Sequence, residues 1–231
     1  MLINNIKLLI LTAGLLIFSA CGETSSQEET AKTAESTAVN SERTQGKKVI
    51  LFFGNSLTAG YGVKTEESFP ALIQQRIDSL GLNYEVVNAG VSGETTATGL
   101  NRLDWVLGNY DVDIFVLELG ANDGLRGLPP EQTQKNLLEI IDKVREQEKG
   151  VAVILAGMMV PPSMGSEYMA AYNPIFEEIA LKKGIELIPF LLQGVGGIDS
   201  LNQDDGIHPN PPGNLIVREN VWEILWPMIR Q

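Results

Sequence analysis

The chain contains one histidine, His208, which stands three residues after Asp205 near the C-terminal end. Far upstream, Ser56 follows an apolar run at residues 49–53 that has the composition of a buried strand. A serine on a strand-to-helix turn, together with a late Asp-x-x-His, supplies the three members of a hydrolytic triad. Because no second histidine competes for the role of general base, these residues predict serine-dependent hydrolysis. Asp204 is the alternative acid, but it lacks the three-residue spacing to the histidine.

Two further loops, at residues 88–95 and 120–124, follow apolar runs and carry glycine and asparagine. Taken alone, each has an ordinary explanation, because Gly90 and Gly93 allow the backbone to turn and Asn122 is a good helix cap. The functional interpretation is that the Gly90 N–H and the Asn122 side-chain amide donate hydrogen bonds to the oxyanion of a tetrahedral intermediate.

The elements that position these loops alternate between short apolar strands and amphipathic helices, which is typical of a parallel sheet covered on both faces. The sequence predicts an α/β fold, a three-layer α/β/α sandwich with a mainly parallel, flavodoxin-like sheet of five strands. In such sheets ligands bind beyond the carboxyl ends of the strands, where Ser56 and both polar loops fall. The predicted strands occupy residues 49–53, 84–88, 114–119, 151–156 and 185–189. The predicted helices occupy residues 69–80, 131–148, about 167–183 and 212–230.

The first 20 residues have the pattern of an export signal, with Lys7 before an apolar run and small residues before Cys21. Small residues leading into a lone cysteine resemble a bacterial lipobox, so Cys21 is the predicted lipidation site; export with an unmodified thiol is the alternative. We predict that residues 21–46 form a lipidated cysteine followed by a disordered tether, and that residues 47–231 form a single domain. The expected location is the bacterial cell envelope, as an exported lipoprotein, with Gly22 favouring the outer membrane.

The formal net charge of −12 argues against nucleic-acid binding and against electrostatic attraction to anionic lipid surfaces. Contact with a membrane is therefore expected through the N-terminal anchor. One histidine and one cysteine do not make a typical zinc site, so neither a metal nor another cofactor is predicted. Nothing in the sequence indicates an obligate oligomer, and a monomer is expected.

Ser, Gly, Asn and His, in that order on four loops, resemble the SGNH (GDSL-type) hydrolase superfamily. The similarity runs from Lys47 to the C-terminus, and residues 120–127 and 204–210 look like blocks of its bacterial thioesterase I, lysophospholipase and arylesterase branch. The first block departs from the family pattern, because Asn55 replaces the aspartate of Gly-Asp-Ser-Leu. Asparagine keeps the size and hydrogen-bonding capacity of aspartate but removes a charge beside Ser56, so we expect modified activity.

The resemblance implies that Ser56 attacks an ester or thioester carbonyl, that His208 is the general base and that Asp205 orients the imidazole. It also implies an oxyanion hole formed by the N–H groups of Ser56 and Gly90 and by the side chain of Asn122. The implied substrates are lysophospholipids and aryl or short-to-medium acyl esters, with thioester hydrolysis as an additional activity.

Residues 157–169 hold four of the six methionines of the chain. In the resembling enzymes this region borders the acyl-binding groove, so Met158, Met159, Pro161 and Met164 are predicted to line the substrate site; packing over the sheet is the alternative. Two other functions stay open: a carbohydrate O-acetyl esterase, and a surface lipoprotein that binds a lipid or glycan without turnover.

Overall fold

The computed structural model of the protein describes residues 46–230, and all of them belong to one compact unit. The predicted signal peptide at residues 1–20 and the predicted lipid on Cys21 lie outside the described residues, as does nearly all of the predicted tether. Within the described part of the chain, no helix is both long enough and apolar enough to cross a membrane.

Five parallel strands form one sheet in the order β2-β1-β3-β4-β5. This order is that of flavodoxin-like folds, and the predicted fold class is confirmed. Residues 50–53 and 114–117 are covered on both faces of the sheet, which explains their uninterrupted apolar sequences. The strands are β1 (Lys48–Gly54), β2 (Tyr84–Gly90), β3 (Ile114–Glu118), β4 (Ala152–Ala156) and β5 (Glu186–Ile188).

Helices flank the sheet: α2 packs against α8, while α3 packs against α5 and α5 against α7. Right-handed crossovers explain why the helices form two groups on opposite faces of the sheet. The chain moves outward from β1 to β2 and then in the opposite direction from β2 through β5. The helices are α1 (Ser56–Ala59), α2 (Phe69–Ser79), α3 (Thr96–Leu107), α4 (Ala121–Leu125), α5 (Pro130–Gln147), α6 (Ser166–Tyr172), α7 (Ile175–Lys183) and α8 (Pro211–Ile229).

The helix predicted at about residues 167–183 is in fact two helices, α6 and α7. Pro174 separates them, because proline has no N–H to donate to the helical ladder. The neighbouring Asn173 side chain accepts a hydrogen bond of 3.1 Å from the Val160 N–H, which ties this corner to the segment after β4.

Two glycines allow α1 to sit directly against the ends of the strands. Gly54 and Gly90 are paired in register across β1 and β2. A Cβ atom on Gly90 would lie 2.3 Å from the Ala59 nitrogen, and one on Gly54 would lie 2.1 Å from Thr58 Oγ1. This close approach fixes Ser56, the first residue of α1, at the carboxyl edge of the sheet.

Candidate active site

Ser56 leads out of β1 into the short helix α1. Asn55 caps this helix, because its Oδ1 atom accepts a hydrogen bond of 3.0 Å from the Leu57 N–H. Only 9% of Ser56 is exposed. As the first residue of a helix, it carries an N–H that has no acceptor within the helix and so can serve a ligand.

His208 reaches Ser56 from a loop that precedes α8, 152 residues further along the chain. Its Nε2 atom lies 2.9 Å from Ser56 Oγ, and its Nδ1 atom lies 2.6 Å from Asp205 Oδ2. The second contact assigns the tautomer: Nδ1 carries the proton and donates to the carboxylate, which leaves Nε2 free to accept from the serine hydroxyl. The structure therefore brings the three predicted residues into one hydrogen-bonded chain.

Asp205 is held as a carboxylate by its own loop. The backbone N–H of His208, the imidazole and the backbone N–H of Ile207 all donate to it, and together they lower its pKa to about 2. At neutral pH it therefore keeps the negative charge that would stabilise an imidazolium. It is Asp205, and not the exposed Asp204, that lies against His208.

Tyr61 packs on the imidazole, a contact that the sequence analysis did not anticipate. The two ring centroids are 4.7 Å apart. Gln203 connects the same two residues, since its side-chain amide donates to the Tyr61 carbonyl at 2.7 Å and its N–H donates to the His208 carbonyl at 2.8 Å. The loop after α1 and the histidine loop are thus held together as one unit.

The predicted oxyanion donor Gly90 is placed differently from the prediction. Its N–H donates a hydrogen bond of 3.0 Å to the Asn88 side chain, and its α-carbon packs beneath the backbone of α1. The Asn88 amide in turn donates to the Thr58 carbonyl at 2.7 Å. Gly90 therefore serves the close contact between β2 and α1, and its N–H is already occupied.

The neighbouring Gly93 lies beside the second predicted donor, Asn122. The Asn122 side-chain amide donates to the carbonyl of Glu94 at 2.9 Å, and Arg126 donates to the carbonyl of Gly93 at 2.9 Å. Gly93 has a φ of +80°, which favours glycine. The two glycines in residues 88–95 are visible in the sequence, but the sequence does not tell that the Gly90 N–H is bonded to the Asn88 side chain.

A cleft of about 400 Å³ opens beside Ser56 and His208. Loops that follow β1, β3, β4 and β5 contribute to its walls, as expected for the carboxyl edge of a parallel sheet. The walls are mainly apolar and include Leu57, Leu125, Met158, Met159, Val160, Phe190, Leu192 and Ile207. Such a surface suits an acyl chain or an aromatic group.

The four predicted substrate-binding residues separate into two groups. Met158, Met159 and Pro161 belong to the cleft wall. Met164, which ends the 3₁₀ turn Pro162–Met164, does not; its terminal methyl lies 3.7 Å from the position that a Cβ atom on Gly127 would occupy.

No metal site accompanies this arrangement in residues 46–230, where no group of three His, Cys, Asp or Glu side chains could hold an ion. The chemistry described so far uses only side-chain and backbone groups of the chain.

Residues 52–216 match the model of the GDSL-like lipase/acylhydrolase family. The chain belongs to this family. The predicted relationship to SGNH (GDSL-type) hydrolases is confirmed, and so is the prediction of an enzyme of the esterase class.

Similar proteins agree with this family membership. Esterase TesA of Pseudomonas aeruginosa is 40% identical over 182 residues, which cover 79% of this chain and 90% of TesA. Thioesterase 1/protease 1/lysophospholipase L1 of Escherichia coli is 32% identical over 187 residues, which cover 81% and 88% of the two chains. The crystal structure of the psychrotrophic esterase EstA from Pseudoalteromonas, inhibited by monoethylphosphonate, matches with a TM-score of 0.75 and 30% identity over 80% of this chain and 100% of EstA.

The structure explains how this member of the family accommodates Asn55 where the GDSL pattern has aspartate. Asn55 faces Glu118, a carboxyl group at the end of β3 that is completely buried. Glu118 accepts three hydrogen bonds, from the Asn55 N–H at 3.0 Å, the Asn55 side-chain amide at 2.8 Å and the Thr58 hydroxyl at 2.8 Å. Glu118 was not among the site residues predicted from the sequence, although an acidic residue that ends an apolar strand was a visible signal.

Burial raises the pKa of Glu118 to about 7, and the donors from Asn55 and Thr58 limit the rise. An aspartate at position 55 would place a second carboxyl group at the 2.8 Å contact, where two negative charges could not both persist. Asparagine instead donates a hydrogen bond, so Glu118 can ionise without repulsion. The substitution thus changes the charge state beneath Ser56 while keeping the cap on α1.

We predict that Glu118→Gln removes part of the pH dependence of stability. A pKa raised from 4.5 to about 7 means that Glu118 contributes stability fully below about pH 4.5 and loses it as pH rises through 7. The loss amounts to about 3 kcal/mol of unfolding free energy. Urea unfolding measured from pH 5 to pH 8 should therefore show a smaller decrease in the free energy of unfolding for the variant than for the wild type.

The control for this experiment is Glu219→Gln. Contacts with Arg76 and Arg218 outweigh burial and lower the pKa of Glu219, so it is ionised throughout this pH range and its replacement should leave the decline unchanged. Equal pH dependence in wild type and Glu118→Gln would show that Glu118 does not titrate in this range.

Proposed function

We propose that the chain hydrolyses carboxylic acyl esters through a covalent acyl-enzyme on Ser56. The observation that carries the proposal is the hydrogen-bonded chain from Ser56 Oγ through His208 to Asp205, at the floor of an apolar cleft. Membership of the GDSL-like lipase/acylhydrolase family supports it.

In the first half of the reaction, Ser56 Oγ attacks the ester carbonyl while its proton passes to His208 Nε2. Asp205 stabilises the imidazolium that results. The tetrahedral intermediate then breaks the bond to the leaving group, which takes the proton from Nε2 and departs as an alcohol. In the second half, His208 removes a proton from water, the hydroxide attacks the acyl-enzyme, and Ser56 recovers its proton as the carboxylic acid leaves.

The negative oxygen of each tetrahedral intermediate requires hydrogen-bond donors. The N–H of Ser56 and the side-chain amide of Asn122 retain the roles that the sequence suggested. For the third donor we propose the N–H of Gly93 in place of Gly90, because Gly90 donates to Asn88 and Gly93 adjoins the residue that holds Asn122.

The apolar walls favour acyl-lipid substrates, namely lysophospholipids and aryl or short-to-medium acyl esters, over acetylated sugars. A carbohydrate O-acetyl esterase would need polar groups to hold the sugar, whereas Leu125, Met158 and Phe190 offer hydrocarbon surface. Thioesters present the same carbonyl to the same serine, and the similar Escherichia coli protein is named as both a thioesterase and a lysophospholipase. Binding without turnover has less support, because the serine and the histidine are in contact.

The decisive experiment measures hydrolysis of p-nitrophenyl esters from acetate to palmitate by the full chain. Ser56→Ala should abolish turnover and labelling by a fluorophosphonate, because both need the serine oxygen. Asn122→Ala should lower kcat by about 10²–10³ and preserve the fold, because it removes one oxyanion donor. Full activity in folded Ser56→Ala would disprove the mechanism, and wild-type activity on acetate alone would favour acetylated sugars.

Two methionines of one segment test the position of the acyl group. Met159→Ala should shift the chain-length optimum of the ester series, because Met159 belongs to the cleft wall. Met164→Ala is the matched control, since it is the same substitution five residues later on a side chain outside the cleft wall. The measurement is kcat/KM against chain length, and an optimum that moves with Met164 instead would place the acyl group elsewhere.

We also propose that the protein is an exported bacterial lipoprotein, anchored by a lipid on Cys21. A tether would connect the anchor to the hydrolase domain, which would act on esters of the cell envelope. The support is the sequence of residues 1–46, with its apolar leader, small residues before a single cysteine and polar linker. The predicted destination is the outer membrane, and the enzyme is expected to act there as a monomer.

Cys21→Ser should convert a membrane-bound protein into a soluble one, because a serine has no thiol to accept the lipid. Fractionation of bacterial cells that express the wild type or the variant, with metabolic labelling by palmitate, measures this. Equal distribution and no label in the wild type would support export with an unmodified thiol.

A further inference from the structure

A nearly buried ion pair lies next to residues 91–95, which together with residues 120–124 form the proposed oxyanion loops. Arg102, on α3, donates from Nε to both carboxylate oxygens of Glu94, at 2.7 and 2.8 Å. The two side chains are 19% and 5% exposed. The guanidinium also lies over the ring of Phe53, 3.9 Å from its centroid. Pairing, hydrogen bonding and ring stacking together make this one fixed arrangement and not a flexible surface contact.

The same guanidinium reaches the ends of two strands. Its Nη2 atom donates to the Ala89 carbonyl of β2 at 2.8 Å and to the Gly54 carbonyl of β1 at 3.3 Å. Gly54 is followed directly by Asn55 and Ser56, so Arg102 is one hydrogen bond away from the strand end that carries the nucleophile. Lysine could not replace these contacts, because they require donors in several directions from one planar group.

Glu94 continues the connection toward the substrate. Its backbone carbonyl accepts the hydrogen bond from the Asn122 side-chain amide, and the residue before it is Gly93. An amide nitrogen has two N–H groups, so the bond to Glu94 occupies one and orients the other. Fixing the Glu94 side chain therefore fixes the direction of the Asn122 donor and the conformation of residues 91–95.

We propose that Arg102 and Glu94 are a positioning pair for the oxyanion hole, an inference that rests on the proposed roles of Ser56, Gly93 and Asn122. Neither residue belongs to the cleft wall. The pair links β1, β2 and residues 91–95, and it sets the distance between the nucleophile and the donors. Small displacements of such groups reduce kcat, because the donors are aimed at the position of an oxygen that exists only in the transition state.

A second, more exposed pair of arginine and glutamate, which also contacts an aromatic ring, is present elsewhere in the fold. Arg76 donates to Glu219 at 2.7 Å, and its guanidinium lies 4.5 Å from the ring centroid of Trp222. This pair joins α2 to α8, and none of its residues lines the cleft. Arg76→Met is therefore a matched control that removes an arginine from a carboxylate and a ring without touching the oxyanion loops.

The experiment compares Arg102→Met, Arg102→Lys and Arg76→Met in the full chain on one p-nitrophenyl ester, at a temperature well below each melting transition. Arg102→Met should lower kcat by about 10- to 100-fold with little change in KM, and Arg102→Lys should fall between it and the wild type. Arg76→Met should keep both constants. A loss in Arg102→Met that appears in KM alone, or an equal loss in Arg76→Met, would overturn the proposal.

A double-mutant cycle with Asn122→Ala separates positioning from general stabilisation. If Arg102 acts through the Asn122 donor, its replacement should cost much less kcat once Asn122 is already alanine. Additive losses would show that Arg102 acts independently and would refute the inference. If Ser56→Ala is inactive but the losses in the cycle are additive, the serine mechanism is supported. Only the positioning role of Arg102 and Glu94 is then refuted.

Glu94→Gln provides a second route if Arg102→Met does not fold, because a carboxylate left buried without its partner is costly. Glutamine keeps the backbone carbonyl that holds Asn122 and loosens only the side-chain link to Arg102. A measurable drop in kcat at unchanged KM supports the pair, and wild-type kcat in folded Glu94→Gln and Arg102→Lys contradicts it.

Discussion

The parallel arrangement of all five strands is the constraint on which the rest of this structure depends. Parallel strands place all their carboxyl ends at one edge, so loops far apart in sequence open toward the same space. Ser56 after β1 and Asn122 after β3 meet there, and His208 reaches the same edge from the segment before α8. Because the central strands β1 and β3 are covered on both faces, their positions tolerate little adjustment, which gives the loops a rigid base.

Beneath the loops, the structure buries polar groups and satisfies them with specific partners. Glu118 receives donors from Asn55 and Thr58, and Asp123 accepts from the N–H and hydroxyl of Thr96 at the start of α3. Burying such groups without partners would cost several kcal/mol, so each one constrains its neighbours in orientation as well as position. The loops around Ser56 are thereby held by hydrogen bonds from below, while their upper surfaces stay apolar toward the cleft.

The contrast between cleft and surface fits an enzyme for esters with a hydrocarbon part. The chain is acidic overall, with a net charge of −12, yet the cleft walls are mainly apolar. Met159 and Ile207 are exposed at the cleft, where an acyl chain can replace water against them. Burial of each methylene group contributes about 0.8 kcal/mol, so chain length is a natural source of selectivity at such a site.

The sequence by itself determined the fold class, the strands and the three residues of the hydrogen-bonded chain from Ser56 to Asp205. Apolar runs specify buried parallel strands, and a single histidine left one candidate for the proposed general base. The tertiary structure decided which loop groups are bonded to one another, because these hydrogen bonds join residues whose contacts the local sequence does not encode. Gly90 and Gly93 are indistinguishable in sequence; the structure distinguishes them, because the Gly90 N–H donates to the Asn88 side chain and Gly93 has a φ of +80°.

The same reason explains the other differences. Met158 and Met164 have equal chemistry, but only the first belongs to the cleft wall. Glu118 and Arg102 lie 63 and 47 residues from Asn55 in the chain, and their importance follows from contacts that no local pattern encodes. Local sequence fixes backbone periodicity and residue chemistry; which groups meet is fixed by packing of the whole sheet.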